Sequence, residues 1–163
     1  MSFMYQLFCI SCDYEMPLLL GGGMNYPLEV TCENQAECGE DFENFFCEHP
    51  GGKIVLNENK LMRCVECGEF EVIGEGTMHF DYKKIPFKKR CNHCGGEFEH
   101  ILSEKDCREA MEPPYGIKII GMIKIILNMA GIISLANSKR LNGKMICPKC
   151  QGKLIVRWSG MWD

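Results

Sequence analysis

Four CxxC pairs hold eight of the twelve cysteines: Cys9 and Cys12, Cys64 and Cys67, Cys91 and Cys94, Cys147 and Cys150. A CxxC turn aims two sulfurs at one centre, and its amides donate hydrogen bonds to the thiolates. Two such turns supply four thiolates in a tetrahedron at about 2.3 Å, the closed site of a structural zinc ion. These eight cysteines are the expected metal ligands, for about two Zn²⁺ per chain. A residue just after the second cysteine takes a positive φ in such a turn, which glycine adopts without strain. Gly68 and Gly95 fill that place in the middle pairs. Asp13 and Gln151 stand there in the outer pairs, and Asp tolerates the conformation more readily than Gln.

Which pairs meet is a second question. Between the first and second pairs lie 51 residues, between the third and fourth 52, and between the middle two only 23. Sequential pairing joins Cys9, Cys12, Cys64 and Cys67 in one site and Cys91, Cys94, Cys147 and Cys150 in the other. It is preferred because it gives a unit used twice. A nested pairing is the alternative: the middle pairs meet, their gap being nearer a usual ribbon spacing, and the outermost pairs close around them.

The other thiols are Cys32, Cys38, Cys47 and Cys107. Cys32, Cys38 and Cys47 with His49 have the composition of a third, irregular metal site. The competing reading makes them small buried apolar residues. His93, inside its turn, is expected to face solvent, and His79 and His100 to be ordinary strand residues. No enzyme is expected. A thioredoxin-like CxxC opens a helix within a βαβ unit, whereas these pairs sit between strand-like runs. A closed four-thiolate site also leaves no open position at which to activate water. No Ser/His/Asp arrangement, phosphate loop or His-Glu-x-x-His motif is read in the sequence.

The elements that must position the cysteines are short and β-rich. The runs "YQLFC", "KLMRC", "FKKRC" and "GKMIC" lead into the four pairs, and "EMPLLL", "EFEVIG", "EFEHIL" and "KLIVRW" leave them. Strand, CxxC turn, strand is a metal-gripping hairpin. Helices are expected over 36–46 and 103–111, the second capped by Ser103 with Asp106 in the capping-box place. The expected fold is small, metal-stabilised and mainly β, with helical insertions: two zinc ribbons plus an apolar helix. Residues 116–137, "GIKIIGMIKIILNMAGIISLAN", supply that helix. Lys118 and Lys124 interrupt the stretch, and its longest uncharged run falls short of the roughly 20 residues of a membrane span. It is expected to cover the ribbons or to serve self-association or a protein partner.

Charge divides the chain. Residues 1–82 hold 15 acidic and 3 basic residues, and residues 83–163 hold 7 acidic and 15 basic. Two modules are expected, an acidic one over 1–82 and a basic one over 83–163 that includes the 116–137 insertion, with the basic run 82–90 as linker. The N-terminus lacks the charged, apolar and small-residue regions of a secretory signal. Reduced thiols, and so a cytoplasmic location, are expected.

The knuckles "CPKCQG" and "CNHCGG" resemble those of zinc-ribbon and rubredoxin-like proteins. The opening "CISCDY", the turn "GGGMNYP" and the closing Trp162 and Asp163 resemble a group of small bacterial zinc-ribbon proteins of unassigned function. That resemblance implies a fold and a metal and says nothing of partners.

Three functions compete at this point. In the first, zinc-stapled modules form an adaptor that presents surfaces to other proteins. In the second, the basic half binds nucleic acid through Lys83, Lys84, Lys88, Lys89, Arg90, Arg157 and Trp158, cations beside stacking rings. Its plainer counterpart is a solvated linker. In the third, iron replaces zinc for electron transfer.

Overall fold

The computed structural model describes residues 2–23, 26–33, 42–111, 132–133 and 144–162. Their strands form two antiparallel sheets. The first contains β1 (Ser2–Cys9), β2 (Glu15–Leu20), β8 (Ile132–Ile133) and β9 (Leu154–Trp162), in the order β2-β1-β9-β8. The second contains β3 (Leu28–Thr31), β4 (Lys53–Cys64), β5 (Phe70–Phe80), β6 (Lys83–Pro86) and β7 (Phe98–Leu102). Its order is β3-β4-β5-β6, with β7 also paired to β4. Among the described residues two helices accompany them, α1 (Glu43–Glu48) and α2 (Glu104–Met111).

Alternation explains the burial. In β1, Tyr5, Leu7 and Cys9 point into the core; Leu18 and Leu20 of β2 and Leu154 and Val156 of β9 join them. Successive side chains of a strand face opposite ways, so every second residue shares a face. The second sheet adds Leu61, Phe70, Ile101 and Leu102 to this core, and α2 adds Cys107. One apolar core therefore lies between the two sheets. A smaller cluster gathers Val30, Phe42, Phe46, Ile54 and Leu56. β4 serves both, because its register with β5 shifts between Leu56 and Glu58. Without that bulge Leu56 and Leu61, five apart, would face opposite ways.

Several expectations change here. Each sheet takes strands from both sides of residue 82, since β9 lies on β1 and β7 on β4. The basic run expected as a linker contains strand β6, paired to β5. "FKKRC" and "GKMIC" were expected to be strands; residues 87–91 are not in a strand, and within 144–147 only Ile146 forms a bridge, to Lys153. Of the 116–137 segment only Ile132 and Ile133 are described, and they are strand β8 on β9 rather than helix. The rest of that segment lies outside the described residues. So do 36–41 of the first expected helix; its described part holds the start of α1, which runs on to Glu48. Among the described residues, no helix is long and apolar enough to cross a membrane.

The cap at 103–106 forms as expected. Asp106 accepts from the Ser103 amide and hydroxyl, both at 2.7 Å, and its own amide donates to Ser103 Oγ at 3.2 Å. His100 Nε2 lies 3.7 Å from the same carboxylate. Because the serine hydroxyl donates to the carboxylate and not to the imidazole, these three residues have the connectivity of a helix cap.

Candidate metal centres

Strand pairing decides which cysteines meet. The β1–β9 ladder sets Cys9 opposite Leu154, which brings the 147–150 turn to the 9–12 turn. The β4–β7 ladder sets Cys64 opposite Phe98, which brings the 91–94 turn to the 64–67 turn. The structure is thus nested: Cys9, Cys12, Cys147 and Cys150 form one cluster, and Cys64, Cys67, Cys91 and Cys94 the other. The preferred sequential pairing is overturned. The ladders, and not the spacing of the pairs along the chain, place the hairpins.

Within each cluster all four sulfurs lie within 4.8 Å of one another. The closest contacts between turns are Cys9 with Cys150 at 3.4 Å and Cys12 with Cys147 at 3.6 Å. In the inner cluster they are Cys64 with Cys94 at 3.4 Å and Cys67 with Cys91 at 3.7 Å. A disulfide needs about 2.0 Å. A tetrahedron with arms of about 2.3 Å has edges near 3.8 Å. The sulfurs fit the second figure and not the first.

The clusters are built alike. In each, the first and third cysteines are buried, the second half-buried and the fourth exposed. The residue after the first cysteine donates its amide to the partner turn: Ile10 to the Lys153 carbonyl at 3.2 Å, and Val65 to that of Glu97 at 3.0 Å. Amides also reach the sulfurs, Ser11 to Cys9 at 3.3 Å and Gly152 to Cys150 at 3.4 Å. Of the places after the second cysteines, Gly68, Gly95 and Gln151 take positive φ and Asp13 does not. The glutamine accepts the strained conformation that the aspartate was expected to tolerate better.

Thiol acidity divides each cluster. Burial pushes the Cys9 thiol up, but the Ser11 amide and the thiols of Cys150 and Cys12 outweigh it and bring it down to about 7. At Cys64 the Cys67 amide is the main influence, and the thiol falls to about 6 against the pull of burial. Cys12 and Cys67 go the other way, to about 12. The Tyr14 and Glu69 amides favour their thiolates, yet burial and three neighbouring thiols outweigh them. Four thiolates crowded together repel, so the later protons are held tightly. A divalent cation at the centre supplies the charge that offsets this repulsion. Four soft sulfur donors at tetrahedral spacing fit a metal such as zinc or iron.

A glycine signal in the sequence distinguishes the two pairings. Gly96 and Gly152 stand two places after the second cysteine of the third and fourth pairs, where the first two pairs have Tyr14 and Glu69. A Cβ on Gly96 would come within 2.9 Å of Cys64 Sγ and 2.6 Å of Glu66 Cγ. One on Gly152 would come within 2.8 Å of Ser11 Oγ and 3.1 Å of Cys150 Sγ. Each site therefore joins one turn that needs this glycine to one that does not. Sequential pairing would have put both glycine-bearing turns in one site.

The other candidates scatter. Cys32 and Cys47 are exposed, Cys107 is buried in the core, and Cys38 lies outside the described residues. No described cluster unites Cys32, Cys47 and His49; His49 stacks on Phe80 with ring centroids 3.9 Å apart. Of the basic residues, Lys89 pairs with Glu71, and Arg90 with Glu97 at 3.2 Å. Arg157 and Trp158 belong to β9 in the first sheet, opposite Gln6 and Tyr5, while Lys83 and Lys84 are exposed on β6 in the second.

Two CxxC–CxxC clusters at metal-binding distance point to zinc-ribbon-like sites on a mainly β, two-sheet scaffold. Compared with protein-family models, curated proteins and solved structures, the chain matches none.

Proposed function

We propose that the protein is a zinc-stapled adaptor: two Cys₄ zinc sites stabilise the sheets, and the surfaces so fixed contact other proteins. The gathering of eight cysteines into two like-built clusters carries the metal half of this reading. Zinc suits a closed set of four thiolates, which leaves no position for water and so favours a structural over a catalytic role. The contact half rests on Ile10 and Val65, 59% and 52% exposed, which occupy the same place in the two sites. Each turn thus holds out an aliphatic side chain on a rigid, metal-fixed loop. The apolar composition of residues 116–137 is of the kind that serves self-association or a protein partner.

Elemental analysis of protein purified without chelator tests the metal: about two zinc per chain are expected. Fewer than one, or iron in its place, would defeat the reading. The double variant Ile10→Ser with Val65→Ser tests the contact. It should keep its metal and lose self-association or partner binding; unchanged association would remove the turns from the contact surface.

A further inference from the structure

Tyr82 occupies a place where a tyrosine is unfavourable. Phe80 and Lys83 face each other across β5 and β6, so Asp81 and Tyr82 are the two central residues of a tight hairpin loop. Both take positive φ, 46° and 60°. Such loops favour glycine at the second place, because a side chain there crowds the backbone. The fold gives Tyr82 nothing in return. Its relative exposure is 110%, and its side chain makes no hydrogen bond or ring contact with a described residue. A strained backbone that holds an aromatic ring wholly in water is an arrangement for contact rather than for stability.

The charges beside it have a sign. Lys83 and Lys84 follow directly and are exposed, as is Lys88 further on, and none of the three ammonium groups pairs with a described residue. Asp81 is the one acidic residue of the loop itself. Lys89 and Arg90 are taken up by Glu71 and Glu97, and Phe87 is stacked on Phe42 at 5.0 Å. Strand addition is disfavoured along β6. Phe87 donates its amide inward to Gly76, so by alternation Lys84 and Pro86 face outward, and proline has no amide to give. An extended peptide would find a single N–H on that edge.

We propose that the tip of the β5–β6 hairpin and the edge strand behind it bind single-stranded nucleic acid, with one base stacked on the Tyr82 ring, Lys83 and Lys84 on the nearest phosphates and Lys88, past the end of β6, on a phosphate further along the strand. A solvent-facing ring beside unpaired cations is what sequence-tolerant strand binding uses. The tip contains none of the eight clustered cysteines, so the proposal stands apart from the identity of the metal.

Fluorescence anisotropy of labelled oligo-dT and oligo-U of about 12 nucleotides, with the metal-loaded full chain, tests it. Both strands should bind, with log K against log salt sloping at about −2 for three phosphate contacts. Tyr82→Gly should bind about tenfold more weakly while keeping its metal and melting no lower. The triple variant Lys83→Ala, Lys84→Ala, Lys88→Ala should lose most of the salt dependence, whereas Lys89→Ala with Arg90→Ala should keep it. No measurable binding of either strand would overturn the proposal, as would full affinity in Tyr82→Gly. A Tyr82-dependent protein contact without oligonucleotide binding would assign the tip to protein and overturn it equally.

Discussion

A methyl group added at Gly96 would sit 2.9 Å from the Cys64 sulfur, and one at Gly152 would sit 2.8 Å from Ser11 Oγ. Relief requires one turn to move away from its partner, which spreads the sulfurs. Gly96→Ala should therefore weaken metal at the inner site and Gly152→Ala at the outer one, each by about 10–100-fold, as loss of ligand support does elsewhere. Gly51→Ala, with nothing within 4 Å of the new carbon, is the control, and chelator competition is the measurement. Acid should empty both sites. A thiol whose folded value lies below its ordinary 9.0 adds stability above pH 9, and that stability is lost as pH falls from there through the folded value. The loss is complete below about 7 at Cys9 and about 6 at Cys64. Proteins retaining one site each, made by Cys→Ser changes in the other, should each bind metal more weakly as pH falls through that range, read by chelator competition. An affinity that does not change with pH would refute this reading of the thiols. Tyr82 adds a stability test: a left-handed side chain costs roughly 1–2 kcal/mol, and glycine returns part of that as unfolded-state entropy. Tyr82→Gly should gain about 0.5–1 kcal/mol in denaturant unfolding.

Strands were more legible in the sequence than their partners. The runs that leave the four CxxC pairs all contain strands, β2, β5, β7 and β9, because alternating apolar residues between turn signals need no tertiary information. Two of the runs that lead into the pairs failed that reading over their described residues, 87–91 and 144–147. Phe87 is drawn to Phe42 and Lys89 to Glu71, contacts the local pattern does not reveal. The pairing of the clusters was illegible from spacing for a physical reason. Loop-closure cost grows only with the logarithm of length, so the nested and sequential arrangements differ by no more than a few tenths of a kcal/mol. The β1–β9 and β4–β7 ladders decide instead, and the glycines at 96 and 152 are their trace in the sequence. The nested arrangement makes a clean prediction. Cys64→Ser with Cys67→Ser, and Cys91→Ser with Cys94→Ser, should each lose the same single metal and leave the outer site loaded. Loss of different metals from the two variants, followed by site-specific mass spectrometry, would restore the sequential model.

The two sheets share one core, and the two clusters sit at its margins: Cys9 and Cys147 are part of it, and Cys64 is fully buried. With no metal bound, crowded thiols stand beside that core. A structural zinc contributes roughly 10–16 kcal/mol in small peptides, against about 5–15 kcal/mol for a whole domain. Strong chelation should therefore unfold the chain cooperatively, read as loss of the far-ultraviolet circular dichroism of the sheets; an unchanged spectrum would show that the core suffices. The nested closure also has a meaning in time. Cys67 and Cys91 are 24 residues apart, Cys12 and Cys147 are 135 apart. A chain made at about 5–20 residues per second completes the inner set roughly 3–11 seconds before the outer one. Throughout that interval the β1–β2 hairpin has no β9 beside it, and two thiols stand without the pair that closes their site. The newborn chain, more than the finished one, is the form in which Cys9 and Cys12 are open to an oxidant or to the wrong ion.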